Sequence, residues 1–278
     1  MTLESRAIMP EKEKNAISTV SRVFRFPVLG RLWKYVVAAG IYAALVVQFG
    51  RGLFTAEKTG PYNRTGELVI AGIIFGWLMS FRTQTAYARW WDGRGLWGQL
   101  VNETRNLVLK AAAYAPEATD RDQLGAALVR FAESLRDQLR LPRKTPGPHL
   151  PMLATGEVFA IIESWYKARK IDGFRFQALD RHAQELMNVC GKCEKIRATP
   201  LAASYRGLLR KGIAGYLLLL PWILNDGIGW TVPLVLFVSY AVVGLELIAT
   251  SIEDPFGNDG DDLPIDEIVE TIRNATNP

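Results

Sequence analysis

One stretch of this sequence constrains the fold more than any other: LVIAGIIFGWLMSFRTQTAYARWWDGR, from Leu68 to Arg94. Its first half is as apolar as a membrane helix, and its second half is rich in arginine and aromatic residues. Proline, which interrupts helices, is absent between Pro61 and Pro116. The stretch therefore predicts a single helix that begins in lipid and continues beyond it.

Four windows of the chain are apolar and carry no charged residue: Tyr35 to Gly50, Leu68 to Phe81, Gly212 to Asn225 and Gly227 to Leu245. Only the last window reaches the length of about 18 residues that indicates a membrane span by itself. The three shorter windows would also suit buried helices of a soluble protein. They border Lys and Arg residues whose long side chains can reach the membrane surface, so we expect four spans.

The basic residues indicate how these spans are oriented. They flank the first three windows, at Arg22, Arg25, Arg31, Lys34, Arg82, Arg89, Arg94, Arg206, Arg210 and Lys211, whereas the loop between the third and fourth windows carries only Asp226. By the positive-inside rule, both termini are expected in the cytosol. The net charge of +5 is spread around the apolar windows, so a nucleic-acid partner is not expected.

The predicted fold class is all-α, with four transmembrane helices continuous with a helical cytosolic domain. The expected divisions are a cytosolic N-terminal arm (1–31), two membrane helices (32–81), a cytosolic helical insert (82–211), two further membrane helices (212–250) and a cytosolic acidic C-terminal segment (251–278). Within the insert, Asp120 to Arg140 has amphipathic helical spacing, and Glu157 to Lys170 and Phe174 to Arg197 look similar. The segment between Lys144 and Pro151 is predicted to be a loop. The N-terminus lacks the layout of a cleaved signal peptide.

Two cysteines, Cys190 and Cys193, lie in the motif CGKC. This spacing occurs in redox sites and in zinc sites. The sequence has no second cysteine pair, and neither His149 nor His182 lies at zinc-ligand spacing. We therefore expect ordinary buried thiols. No nucleophile with a base and no phosphate-binding glycine loop is recognisable, so an enzyme is not expected.

The apolar part of the second predicted helix carries two stripes. Ile73, Trp77 and Phe81 recur every four residues, which places them on one face. Small residues form a second stripe one position earlier, at Gly72, Gly76 and Ser80. Small residues let helices approach closely in a membrane, so the pattern suits a ring of identical helices with bulky residues at its axis. It equally suits two faces packed inside a single four-helix bundle.

Three motifs resemble a known family. FRTQTAYARWWDGRGLWGQLVNETRNL (Phe81 to Leu107) includes Arg89, Trp90 and Trp91; CEKIRATPLAASYR runs from Cys193 to Arg206; EDPFGNDGDDLPID (Glu253 to Asp266) includes Pro255, Phe256 and Gly257. In this order they resemble the bestrophin family, and the chain looks most similar to its short bacterial members, which lack the long C-terminal tail of animal ones.

The resemblance implies a homopentameric ion channel in a bacterial inner membrane, with one axial pore. Its partners would be copies of itself, the lipid bilayer and small permeating ions. The family's hydrophobic neck falls on Ile73, Trp77 and Phe81, and a second, cytosolic constriction falls on Leu201. The family usually has Phe or Ile at the middle neck position, so Trp77 implies a narrow or closed neck. Chloride is the family default; a cation-conducting homologue and a non-conducting membrane sensor or scaffold remain alternatives.

The resemblance also suggests one cofactor. Asp259 and Asp262 stand where calcium-activated animal members supply carboxylates to a calcium ion. Asn258 and Gly260 replace acidic residues of that motif, so calcium binding and a plain solvated turn are both open. No other cofactor is expected.

Arginine and tryptophan residues mark the point where the second helix is expected to leave the bilayer. Arg89 would donate to carboxylates or backbone carbonyls, and Glu246 in the fourth span is one candidate partner. Trp90, Trp91 and Trp97 are expected to pack beneath the membrane boundary.

Overall fold

The computed structural model describes residues 29–50, 64–114, 117–142, 147–224 and 227–276. Within these ranges every regular element is a helix: α1 (Leu29–Phe49), α2 (Arg64–Tyr114), α3 (Ala118–Arg140), α4 (Leu150–Lys167), α5 (Gly173–Ala198), α6 (Ala203–Leu224), α7 (Ile228–Ile252) and α8 (Ile265–Thr276). The predicted all-α class is confirmed for these residues. Arg22, Arg25, Asp226 and most of the predicted N-terminal arm lie outside them.

The chain divides into two compact units. The first unit comprises residues 1–84 and 202–251, and the second comprises residues 85–201 and 252–278. Helix α2 is continuous over 51 residues, as the absence of proline predicted, and its residues up to Gln84 belong to the first unit.

The first unit contains helices suited to a membrane. Three helical segments in the described part of the chain are long and apolar enough to cross one: Gly30–Phe49, Ala203–Leu224 and Ile228–Ile252. Helices α1 and α7 approach each other closely, because a Cβ atom at Gly40 of α1 would lie only 2.6 Å from the Leu236 side chain of α7. Many large apolar side chains of this unit face outward, among them Ile41, Leu45, Leu219 and Phe237. Outward apolar faces are stable in lipid and costly in water.

The second unit has a large apolar core of its own. The amphipathic face predicted for α3 is buried there: Leu124, Leu128, Phe131, Leu135 and Leu139. Helix α3 packs against α4 and α8, and α4 packs against α5. The largest side chains in this core include Trp97, Trp165 and Phe256. This unit therefore buries its apolar residues in the manner of a water-soluble domain.

Helix α4 begins earlier than the sequence predicted. The segment up to Pro151 was predicted to be a loop, but α4 starts at Leu150. Proline is tolerated in the first helical turn, where its missing N–H would have no helical partner. His149 precedes the helix, and its Nδ1 atom accepts a hydrogen bond of 3.1 Å from the Met152 amide. Pro151 therefore lies in the first turn of α4, where the sequence predicted a loop.

Candidate functional site

The bulky stripe of α2 is exposed in the isolated chain. Ile73, Trp77 and Phe81 have 67%, 71% and 51% of their surface accessible. Their spacing places them on one face of the helix, and Phe81 also contacts the Tyr205 ring edge-on at 5.9 Å. These side chains are not packed inside one four-helix bundle, which was one of the two interpretations of the stripe. They form an outward apolar face that another molecule can cover.

The small stripe lines a cleft within the first unit. Gly72, Gly76 and Ser80 line a cavity of about 520 Å³, whose far side is formed by α7 residues including Phe237 and Ala241. Apart from its chain neighbours and its own helix backbone, no heavy atom among the described residues lies within 4 Å of a Cβ atom placed at Gly76. The cleft is therefore wide enough at Gly76 to admit a side chain.

A charged cluster follows the stripe directly. Arg82 is fully buried, and its Nε atom lies 3.4 Å from the Glu246 carboxylate. The same carboxylate accepts a hydrogen bond of 3.0 Å from Arg210, which also donates to Thr250 at 3.2 Å. Glu246 thus balances two arginines within the first unit. Its position inside the most apolar helix was the signal for such a role, although the sequence suggested Arg89 as its partner.

Arg89 instead binds backbone carbonyls in the second unit. Its guanidinium donates to the carbonyl oxygens of Glu253 at 3.0 Å, Thr199 at 2.5 Å and Ile196 at 2.5 Å. Ile196 lies in the last turn of α5, Thr199 follows that helix, and Glu253 follows α7. The last carbonyls of a helix lack helical partners and carry partial negative charge, so a cation is well placed there. The Arg89 guanidinium thereby connects the C-terminal end of α5 to the residue that follows α7.

The three tryptophans of α2 do not share one environment. Trp97 is fully buried, and Trp90 is half-buried against the same core, donating to the Asp261 carbonyl at 3.1 Å. Trp91 is 60% exposed. Trp91 stacks on the Tyr87 ring, with 6.2 Å between the ring centroids, so packing of all three beneath the membrane boundary stays a prediction.

The Pro255–Phe256–Gly257 segment forms a packed turn in the second unit. Phe256 is fully buried, and a Cβ atom at Gly93 would lie 3.1 Å from its ring. A Cβ atom at Gly257 would lie 2.6 Å from the Asp262 carboxylate. Both glycines permit close contacts that a larger residue would prevent.

The two aspartates proposed for calcium have different roles in this turn. Asp262 accepts a hydrogen bond of 2.5 Å from the Asp259 amide, and burial raises the pKa of the Asp262 carboxyl to about 6. The Asp259 side chain is exposed. Calcium binding at this pair stays a prediction.

Leu201, the expected second constriction, is half-buried, and its amide donates to the Glu253 carboxylate at 2.8 Å.

The two cysteines are free and fully buried. Burial is the main cause that raises the pKa of each thiol to about 12, with the nearby Glu194 carboxylate adding to it. A neutral thiol is a poor nucleophile, which disfavours redox catalysis at this pair. The fold nevertheless brings His149 beside Cys190 and Glu194, with the three ligand atoms within 4.8 Å of one another. The expectation of ordinary buried thiols stays a prediction.

Comparison with known proteins agrees with the motifs. The sequence profile described as Bacterial/Fungal Bestrophin protein matches residues 8–278. The chain belongs to the bacterial/fungal bestrophin family. It is 28% identical over 271 residues to the voltage-dependent anion channel-forming protein alr2987 of Nostoc, which covers 90% of this chain and 87% of that protein. It is 31% identical over 229 residues to the similarly named protein sll1024 of Synechocystis, covering 74% and 75%.

A solved structure gives the same result for the fold. A variant of a bestrophin homologue from Klebsiella pneumoniae superposes with a TM-score of 0.76 at 26% identity, covering 89% of this chain and 97% of that one. The described helices therefore follow the bestrophin fold, and the chain spans nearly the full length of its structural relative.

Proposed function

We propose that this chain is one subunit of a homopentameric ion channel that conducts anions through an axial pore. In this proposal the apolar part of α2 is the second of four spans, together with α1, α6 and α7, and the channel lies in the bacterial inner membrane with both termini in the cytosol. Curated relatives named as anion channel-forming proteins support the ion.

The exposed stripe on α2 is the observation that carries the proposal. Ile73, Trp77 and Phe81 are large, apolar and outward-facing on a helix of the first unit. A ring of such side chains around a narrow axis excludes water and stops ions without any charged plug. Five copies of the stripe would form the neck of the pore, with Trp77 as its bulkiest level. Leu201 would form a second, cytosolic constriction.

A substitution that widens the neck should increase conduction, and this increase tests the proposal. Trp77→Ala should raise the current per channel, because removing the indole widens the apolar ring and lets water enter. The measurement is current across a planar bilayer containing the purified protein, with opposed chloride and sodium gradients. Trp230→Ala is the matched control, since Trp230 is similarly exposed, at 66%, but lies on α7. The control should conduct as the unchanged protein does.

The reversal potential identifies the ion in the same experiment. Reversal near the chloride potential supports the anion channel, and reversal near the sodium potential keeps the pore but makes it a cation-conducting homologue. Absence of current from a verified pentamer, including one with Trp77→Ala, would contradict the channel and favour the sensor or scaffold.

A further inference from the structure

A side-chain cluster outside the proposed pore has the composition of a metal site. His149 precedes α4, while Cys190 and Glu194 lie one helical turn apart on α5. Among the described residues, this is the group of three or more His, Cys, Asp or Glu side chains whose ligand atoms all lie within 4.8 Å of one another. The Nε2 atom of His149 is 2.8 Å from a Glu194 carboxylate oxygen.

The distances are close to those around a tetrahedral metal ion. Zinc ligands at about 2.0–2.3 Å from the ion stand roughly 3.3–3.7 Å from one another. The three ligand atoms would therefore shift by about 1 Å or less each. Nε2 of His149 is the nitrogen directed at Glu194. To bind zinc there, the ring must carry its proton on Nδ1, so the hydrogen bond that Nδ1 accepts from the Met152 amide is given up when the ion binds.

Burial and chemistry favour zinc over a harder cation. The Cys190 side chain is fully buried, while the His149 and Glu194 side chains are 32% and 36% exposed, so the cluster opens to solvent on one side. Thiol, imidazole and carboxylate together suit zinc, whereas calcium and magnesium prefer an all-oxygen set. Three protein ligands would leave a fourth position for water.

We propose that His149, Cys190 and Glu194 bind one zinc ion per chain. The ion joins the residue that precedes α4 to α5 and thereby stabilises the second unit. The site involves none of the stripe residues, so it is independent of whether the protein conducts.

Zinc binding to the purified full-length protein tests the proposal. After treatment with a chelator, the protein in detergent is titrated with zinc chloride against a chromogenic competitor. We expect one tightly bound zinc per chain and a melting temperature that rises with zinc concentration. Cobalt in place of zinc should give a thiolate-to-cobalt charge-transfer absorption, which reports cysteine ligation directly.

Matched variants separate the site from other zinc-binding groups. His149→Asn keeps a side chain that can cap α4 but removes the imidazole, and we expect zinc affinity to fall by at least about 100-fold. Cys190→Ala should abolish the cobalt absorption. Cys193→Ala removes an equally buried thiol from the same helix, outside the cluster, and should retain both zinc affinity and the absorption.

Two results would overturn the proposal. One is zinc binding of the same affinity in His149→Asn and Cys190→Ala as in the unchanged protein, which would mean that zinc binds elsewhere. The other is the absence of stoichiometric binding to unchanged protein. If Cys190→Ala fails to fold, His149→Asn and Glu194→Gln decide the outcome, because both residues are partly exposed and Gln can still hydrogen-bond to His149.

Discussion

At the scale of single residues, the Glu246 carboxylate contacts two arginines of the first unit. Two arginines share its carboxylate, but their settings differ: the Arg82 side chain is fully buried, and the Arg210 side chain is 54% exposed. Removing one member of a buried ion pair is costly, whereas an exposed ion pair contributes little. The two contacts of one carboxylate should therefore differ in their importance for stability.

This difference can be measured with two substitutions. Glu246→Gln keeps the shape of the side chain but removes its charge, and it should destabilise the protein by about 3–5 kcal/mol because Arg82 stays buried. Arg210→Ala should cost only about 0–1 kcal/mol. The melting temperatures of both variants in detergent would show the contrast. Equal losses would mean that burial of Arg82 does not govern the energetics of the cluster.

At the scale of elements, α8 stabilises the second unit through one amphipathic face. Ile265, Ile268, Val269 and Ile272 are buried, and the helix packs on α3. Asp266 in its first turn receives hydrogen bonds from Arg140, at 2.8 and 3.0 Å, and from Arg136 at 3.2 Å. The hydrogen bonds from Arg140 are the main cause that lowers the pKa of the Asp266 carboxyl. The apolar face supplies most of the docking energy, since exposed ion pairs are weak.

The apolar face gives the prediction at this scale. Ile272→Ala removes a fully buried side chain and should destabilise the second unit by about 2–5 kcal/mol. Asn274→Ala, on the exposed side of the same helix, should change stability by no more than about 0.5 kcal/mol. Protection of α3 and α8 amides from hydrogen exchange would locate the loss. Unchanged protection in Ile272→Ala would contradict docking through this face.

Local patterns were predictable from the sequence, and contacts between distant segments were not. The stripe of Ile73, Trp77 and Phe81 follows from helical periodicity, which neighbouring residues alone determine. The pairing of Arg82 with Glu246 joins residues 164 positions apart, and His149 meets Cys190 only because α4 packs on α5. Such contacts depend on the packing of whole helices, for which a single sequence carries no direct signal.

At the scale of the whole molecule, the first unit presents more apolar surface than a single chain can cover. The bulky stripe is exposed, and the cleft along the small stripe is almost entirely apolar. Lipid could cover outward faces such as those of α1, but a proposed pore also requires protein neighbours that bring α2 helices together. Small residues let membrane helices approach each other closely. A larger residue at Gly76 therefore tests whether the small stripe takes part in assembly.

Gly76→Leu should weaken assembly without damaging the subunit. A Cβ atom added at this position meets no described atom within 4 Å outside its chain neighbours and its own helix backbone, and leucine favours a helix more than glycine does. It would, however, occupy the space that a neighbouring helix needs. Native mass spectrometry in detergent should therefore show fewer pentamers, and flux should fall in proportion. Gly66→Leu is the control, because Gly66 lies outside the small stripe on the same helix and is equally open. A Gly76→Leu protein of unchanged mass and flux would show that subunits do not associate through this stripe.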